Sequence, residues 1–114
     1  MVRPRIHIPQ EELAALCHRH HIRRLALFGS VLRDDFGPES DVDVLVEFDR
    51  RYPGGFRIFR VEGELSRLFG GRKVDLVNPR YINARLRDRV LNNLLVQYEA
   101  GSPAYSSIAT RHPS

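Results

Sequence analysis

The chain has 114 residues, of which 42% are hydrophobic and 28% are charged, and its single cysteine is Cys17. A chain of this length forms one small domain with a single core, which excludes a separate second domain for substrate binding. The sequence also lacks an apolar run long enough to span a membrane, a secretory leader and a second cysteine for an internal disulfide. It therefore predicts a cytoplasmic protein.

The net charge of the chain is +4 and its isoelectric point lies near 9.8, because arginines are scattered through the whole sequence. A basic protein attracts polyanions such as nucleotide phosphates or RNA. However, no cluster of basic residues interleaved with aromatic ones is present, and scattered charges are more typical of an ordinary solvated surface. The charge therefore leaves direct binding of nucleic acid open.

The first half of the chain predicts a helix followed by two strands. Residues 9–21 form the helix, since a proline and acidic residues favour its start and apolar residues recur at helical spacing. Residues 22–28 are the first strand. Gly29 then permits a tight turn, and Ser30 caps a short helix over residues 30–36. The run over residues 40–48, rich in β-branched residues, is the second strand.

The second half of the chain predicts a helix, a strand and a longer helix. Residues 56–69 form the first of these helices, which ends at a glycine pair, and residues 72–77 form the third strand. Apolar residues at three- and four-residue spacing predict the longest helix over residues 81–99. These apolar residues cover more than one helix face, which predicts a protein interface.

This order of elements predicts an α/β fold of the α+β kind, in which helices pack on a small mixed β-sheet. Residues 1–101 are predicted to form the single domain. After Gly101 the composition changes to a polar segment without periodic apolar residues. Residues 102–114 are therefore predicted to be a flexible C-terminal tail.

Two acidic residues, Asp41 and Asp43, lie at the start of the second predicted strand. Successive side chains of a strand point to opposite faces, so both carboxylates lie on one face and the intervening valines lie on the other. Neighbouring carboxylates repel each other and raise each other's pKa unless a cation lies between them. Oxygen ligands of this kind favour magnesium or manganese bound together with substrate phosphates.

A Gly-Ser turn, Gly29-Ser30, precedes this pair, with ten residues between Ser30 and Asp41. A glycine lets the backbone approach a phosphate group, and a serine at a helix start offers its hydroxyl and amide to that group. Taken alone, the dipeptide indicates only a turn. No GxxxxGK stretch is present, which excludes a P-loop.

Basic residues near this turn are candidate phosphate ligands. Arg33 lies three residues after Ser30 and can reach a phosphate oxygen, although it can also pair with the acidic residues that follow it. Lys73 and Arg85 are weaker candidates of the same kind.

The spacing Gly29-Ser30, ten residues, Asp41-x-Asp43 resembles the signature of the DNA polymerase beta-like nucleotidyltransferases, and within them the minimal MNT type. The later stretch KVDLV, which contains Asp75, is similar to the strand that supplies the third carboxylate in that family. The similarity extends over residues 25–98. It implies catalytic and metal-binding carboxylates, namely Asp41, Asp43 and Asp75. It also implies nucleotide-binding residues, namely Gly29, Ser30, Arg33 and Ser40.

Asp75 is unusual by its position alone, because it lies between Val74 and Leu76 in an otherwise apolar strand. An unpaired carboxylate is costly there, and a polar residue in such a place usually has a specific partner. The alternative is that Asp75 faces water at the strand end or pairs with an arginine.

The resemblance implies two Mg²⁺ ions and a nucleoside triphosphate donor, most simply ATP. Asp41 and Asp43 would ligate both ions. Asp75 would complete the site of the ion that activates the acceptor hydroxyl, and would accept the proton of that hydroxyl.

Small proteins of this family are often paired with HEPN-type ribonuclease toxins, as antitoxins that transfer AMP to a tyrosine hydroxyl of the toxin. The resemblance therefore implies a protein adenylyltransferase with an HEPN toxin as partner, in a homo- or hetero-oligomer. A complete donor site without an acceptor domain fits this function. Two alternatives stay open: a binding-only antitoxin, and a transferase that acts on a small molecule or on RNA.

A cysteine and three histidines lie together near the end of the first predicted helix, at Cys17, His18, His20 and His21. Helical spacing brings three of them close enough to suggest a metal site. No second group of ligands at a usual spacing exists, and the helix dipole favours histidines near a helix C-terminus. A structural role for these residues is therefore the preferred interpretation.

Overall fold

The computed structural model of the protein describes residues 4, 6–52, 55–79 and 93–101. The elements in these residues are α1 (Gln10–Arg19), β1 (Ile22–Phe28), a 3₁₀ turn (Gly29–Leu32), β2 (Val42–Phe48), α2 (Arg57–Leu68), β3 (Val74–Val77) and β4 (Leu95–Glu99). Neither α1 nor α2 is long and apolar enough to cross a membrane.

The four strands form one mixed sheet in the order β3-β2-β1-β4. β1 pairs antiparallel with β2 on one side and with β4 on the other, whereas β2 and β3 are parallel. Parallel neighbours need a long crossover connection, and the segment that contains α2 supplies it between β2 and β3. The predicted fold, a small mixed sheet with helices packed on it, is confirmed.

Helices α1 and α2 cover one face of the sheet. The core between them joins apolar residues of both helices to alternate residues of the strands, and its fully buried members include Leu13, Leu25, Val44, Val61 and Leu65. Burying one valine or leucine side chain contributes about 1.5–3 kcal/mol to folding. This layer is therefore a main source of the stability of the fold.

The opposite face of the sheet carries a smaller apolar cluster. Ala26 and Leu45 are fully buried in it, and partly buried apolar residues pack against them. Since strand side chains alternate between faces, Asp43 lies on the same face as Leu45, and its neighbour Asp75 lies on the same face as Val77. The fold thus places these two acidic residues on the face of the sheet that α1 and α2 leave open.

The helix predicted over residues 81–99 is wrong at its C-terminal end, because Leu95–Glu99 form β4. This strand pairs with β1, so that Leu95 lies opposite Leu27 and Val96 opposite Ala26. A short apolar run fits both helical and extended spacing, and here the hydrogen bonds offered by the edge of β1 favour the strand. Residues 80–92, which include Arg85, lie outside the described residues. The protein interface predicted on this helix therefore stays a prediction.

The short helix predicted over residues 30–36 is also wrong in its extent, since only the single 3₁₀ turn Gly29–Leu32 forms. The buried side chain of Val31 anchors this turn in the core, whereas residues 33–35 are polar and exposed and offer no apolar contact that would continue a helix. Arg33 is therefore extended, with φ −121° and ψ 165°, and the serine hydroxyl of Ser30 does not cap the turn. The remaining predicted boundaries lie within two residues of the observed ones.

Candidate active site

Two acidic side chains meet at the start of β2. Asp43 pairs in register with Asp75 on the parallel strand β3 and with Phe28 on the antiparallel strand β1. Neighbouring strands lie about 4.8 Å apart, so the two carboxylates stand side by side on the same face of the sheet. Asp41 lies just before β2, one residue ahead of its first residue Val42. The sheet register thus brings together carboxylates that are far apart in the sequence.

The surroundings of Asp43 disfavour its charged form. Partial burial raises the pKa of this carboxyl above its ordinary value, and the negative charges of Asp75 and Asp41 raise it further, while the nearby Arg33 lowers it in part. The repulsion expected from closely spaced carboxylates is therefore present. A cation bound between them would remove this repulsion.

Gly29 lies directly against Asp43 at the end of β1. Its φ is +77°, in the left-handed region that favours glycine. A Cβ atom on this residue would lie only 2.3 Å from Oδ2 of Asp43, which is far inside van der Waals contact. Both the backbone conformation and the available space therefore require glycine at this position. The chain needs this residue to bring the Gly-Ser turn next to the carboxylates.

Ser30 and Arg33 lie close together at the Gly-Ser turn. The backbone N–H of Arg33 donates to the carbonyl of Ser30 at 2.8 Å, which closes the turn. The Arg33 guanidinium donates to Oδ1 of Asp35 at 3.2 Å, and its side chain is 62% exposed. Arg33 therefore pairs with a surface acid, which is one of the two interpretations considered for it, and its charge also acts on Asp43. Its role as a phosphate ligand stays a prediction.

Ser40 closes a turn immediately before Asp41. Its hydroxyl accepts a hydrogen bond from the backbone N–H of Gly37 at 2.9 Å. This bond closes a turn just before Asp41. Lys73 lies on the other side of Asp41, with Nζ 4.0 Å from Oδ2 of that residue. The Lys73 side chain is 80% exposed, so this pair contributes little to stability.

Arg72 is a residue of this region that the sequence did not single out. Its guanidinium donates to the carbonyls of Gly37 and Ser40 at 3.0 and 3.5 Å, and lies 4.4 Å from the ring centroid of Phe36. Backbone carbonyls in a loop leave no signal in a sequence, so an arginine that binds them cannot be distinguished from the many other arginines of this chain.

The donor chemistry of the site fits magnesium. In the described ranges, no three side chains of acidic residues, histidine or cysteine converge closely enough to enclose a metal ion by themselves. Magnesium, however, is usually bound through one or two carboxylates together with substrate phosphates and water. Asp43 and Asp75 offer oxygen donors only, and the negative charges of Asp75 and Asp41 beside Asp43 would be balanced by a cation.

The cysteine and histidines near the end of α1 have other partners. Cys17 is buried in the core, and burial raises the pKa of its thiol. Nε2 of His20 lies 3.0 Å from Oε2 of Glu64, and the ring of His21 stacks on that of Tyr52 with the ring centroids 3.7 Å apart. These contacts give Cys17, His20 and His21 structural roles.

Comparison of the sequence with protein families matches the model of the nucleotidyltransferase domain to residues 11–96. A candidate protein adenylyltransferase of Methanocaldococcus jannaschii is 34% identical over 74 residues, which make up 65% of this chain and 77% of that protein. The protein adenylyltransferase MntA of Thermococcus cleftensis is 32% identical over 80 residues, which make up 70% of this chain and 79% of that protein.

Comparison of the folds leads to solved structures of the same kind. A candidate minimal nucleotidyltransferase superposes with a TM-score of 0.65 at 35% identity, over 75% of this chain and 86% of the other. A toxin-antitoxin complex solved with AMP-PNP contains a chain that superposes with a TM-score of 0.61 at 17% identity, over 91% of this chain and 83% of the other. At that level of identity the second comparison supports the fold alone.

Proposed function

Because the chain belongs to the nucleotidyltransferase domain family, as its motifs predicted, we propose that it transfers AMP from ATP to a hydroxyl group of a partner protein. The partner in this proposal is an HEPN ribonuclease toxin, the acceptor is one of its tyrosines, and the chain acts as its antitoxin. The observation that carries the proposal is the pairing of Asp43 with Asp75 on neighbouring strands, with Gly29 directly against Asp43.

Similarity to known proteins supports the protein acceptor. The two relatives described above bear the name of protein adenylyltransferase, one of them as a candidate. These names favour adenylyl transfer to a protein over the two alternatives, a binding-only antitoxin and a transferase for a small molecule or RNA.

The chain's own residues have distinct tasks in this reaction. The turn at Gly29 and Ser30 binds the phosphates of ATP through the backbone and the serine hydroxyl. Arg33 supplies a positive charge close to Asp43 and therefore close to the site. Asp75 accepts the proton of the acceptor hydroxyl. The acceptor oxygen then forms a bond to the α-phosphorus, the bond between the α- and β-phosphates breaks, and pyrophosphate leaves with the bonding electron pair.

Magnesium is part of the proposal. Asp41, Asp43 and Asp75 would hold two Mg²⁺ ions, which supply charge neutralisation of the triphosphate and polarisation of the α-phosphate. Ser40 belongs to the proposed nucleotide-binding residues as well: its hydroxyl accepts the Gly37 N–H and keeps its own O–H to donate to a phosphate oxygen. A cytoplasmic location, a domain of residues 1–101 and a C-terminal tail of residues 102–114 remain predictions; β4 ends at Glu99, close to this boundary.

A transfer experiment tests the function. Purified protein is incubated with ATP labelled in the α-phosphate and with MgCl₂, in the presence and absence of an HEPN-type toxin as the proposed partner. We expect label on a tyrosine of that partner, and none when Asp43→Asn replaces the wild-type chain. Binding to the partner without label would support the binding-only antitoxin, and label on an RNA or an aminoglycoside would support the other alternative.

A further inference from the structure

Arg72 lies between α2 and β3 and contacts the loop that leads into the active site. We define this connecting loop as residues 33–41, which run from the end of the 3₁₀ turn to Asp41. The Arg72 guanidinium donates to the carbonyl of Gly37 at 3.0 Å and lies within 3.5 Å of the carbonyl of Ser40. It also stacks on the ring of Phe36, at 4.4 Å from the ring centroid. One side chain thus holds the loop at three points.

The backbone of Arg72 and of the next residue is held by hydrogen bonds to α2 and β2. The hydroxyl of Ser66 in α2 donates to the carbonyl of Arg72 at 2.6 Å. The next residue, Lys73, accepts the backbone N–H of Val42 at 2.9 Å, which begins the pairing of β2 with β3. Arg72 is therefore anchored to α2 and to the start of β3, the strand that carries Asp75, while its side chain holds the segment that carries Asp41.

We propose that Arg72 is a positioning residue for the nucleotidyltransferase reaction: it fixes the connecting loop so that Asp41 and the Gly-Ser turn keep their places relative to Asp43 and Asp75. This inference rests on the proposed function of that site. Arg72 acts through the loop and does not touch the substrate. Without it, the loop loses its contacts at Phe36, Gly37 and Ser40, and the segment just before Asp41 is held less firmly against β3.

The chemistry of arginine suits this task better than that of lysine. Its planar guanidinium donates several hydrogen bonds in fixed directions and at the same time presents a flat face to an aromatic ring. A lysine keeps the positive charge, but its compact ammonium group cannot hold two carbonyls and stack on Phe36 in the same geometry. The lysine variant is therefore a sensitive probe, because it changes geometry without changing net charge.

The test compares Arg72→Gln, Arg72→Lys and the control Arg60→Gln, in which an exposed arginine of α2 is changed. Calorimetry measures the affinity for ATP in MgCl₂, and the magnesium concentration for half-maximal transfer is measured in parallel. We expect Arg72→Gln to weaken ATP binding about tenfold and to raise the required magnesium concentration, because the arrangement of the loop that binds the nucleotide is then less populated. Arg72→Lys should give an intermediate effect, and Arg60→Gln should match the wild type.

Amide hydrogen exchange of the connecting loop gives a readout that does not depend on activity. We expect residues 34–41 to exchange faster in Arg72→Lys and Arg72→Gln than in the wild type, while α1 and β1 keep their protection. If Arg72→Gln does not fold, Arg72→Lys carries the comparison. A lysine variant with wild-type loop protection and wild-type magnesium dependence would overturn the inference. A wild-type chain that binds no nucleotide, yet loses loop protection when Arg72 is changed, would instead overturn the proposed function.

Discussion

The surroundings of Asp43 disfavour the charged form of its carboxyl group, and this lowers the stability of the folded protein at neutral pH. Its pKa is higher in the folded protein than the ordinary value of 3.8, owing to burial, Asp75 and Asp41. A group with a raised acid pKa binds its proton more tightly in the folded state. The folded protein therefore loses stability as the pH rises from the ordinary carboxyl pKa through the raised one, and the full penalty is present at neutral pH.

Asp43→Asn should therefore stabilise the metal-free protein while abolishing its activity. The variant should melt at a higher temperature than the wild type at pH 7, and the difference should vanish below the ordinary carboxyl pKa. Transfer of AMP should fall by at least about 100-fold, because a metal ligand is worth several kcal/mol in the transition state. Thermal denaturation across pH and a labelled-ATP assay check the two parts.

Glu39→Gln is the matched control for that experiment, since it removes an exposed acid of the connecting loop that precedes β2. It should change neither the melting temperature at pH 7 nor the rate of transfer appreciably. Wild-type turnover in a folded Asp43→Asn protein would contradict the assignment of Asp43 as a metal ligand.

Gly29 gives a second test at the level of one residue. Gly29→Ala introduces a Cβ atom 2.3 Å from Oδ2 of Asp43 and places alanine at φ +77°. Gly70→Ala is a control with nearly the same backbone conformation, φ +79°, but with no atom within 4 Å of the new Cβ. The backbone strain alone costs about 1–2 kcal/mol, so both variants should lose this amount in urea denaturation.

The difference between the two alanine variants isolates the contact with Asp43. We expect Gly29→Ala to be the less stable of the pair and to lose AMP transfer, while Gly70→Ala keeps its activity. Equal stabilities and equal activities of the two variants would mean that the close approach of Gly29 to Asp43 is not needed for stability or for transfer of AMP.

Individual residues differed in how far the sequence could predict them. Asp43 follows from strand alternation, and Gly29 from its role in a tight turn, because both depend on local geometry. The pairing of Asp43 with Asp75 depends on which strands become neighbours, so it was available only through the family resemblance. Arg72 could not be predicted at all, since its partners are backbone carbonyls of a distant loop.

Among the elements, β4 shows why periodicity failed. Leu94, Leu95 and Tyr98 satisfy helical spacing as a continuation of the apolar pattern before them. Leu95 and Tyr98 instead pair with β1 as part of an extended strand, and Gln97 then becomes buried against α1. The choice between helix and strand depends here on a long-range partner, which a local pattern does not contain. Strand β1 was predicted with its observed bounds because its apolar run lies between clear turn signals.

A double-mutant cycle tests the placement of β4 against α1. Nε2 of Gln10 donates to Oε1 of Gln97 at 2.9 Å, so this bond joins the two elements. Gln97→Ala and Gln10→Ala should each destabilise the protein, and their coupling energy should be about 0.5–1.5 kcal/mol in urea denaturation. Strictly additive effects of the two substitutions would be incompatible with this contact.

At the scale of the whole molecule, the main apolar core and the acidic residues of the candidate site lie on opposite faces of the sheet. Its helix-covered face holds the larger apolar core, whereas Asp43 and Asp75 occupy the opposite face at the start of β2 and β3. A charged site placed among the buried valines of the first face would cost far more to desolvate. The architecture was predictable in outline from the order of elements, but the sheet order, with β1 in the middle, came only from the structure.

Binding of the donor should therefore stabilise the entire domain only when metal and nucleotide are present together. ATP adds negative charge beside Asp43, and magnesium alone lacks the phosphate ligands it prefers. We expect magnesium and ATP together to raise the melting temperature more than the sum of the separate effects. A ligand that binds only the folded state adds about 2.7 kcal/mol to the free energy of unfolding at a hundredfold excess over its dissociation constant. Asp43→Asn should lose this combined effect, because it lacks the negative charge that draws the cation into the site. A combined shift of the same size in Asp43→Asn and in the wild type would place the bound metal and nucleotide elsewhere on the protein.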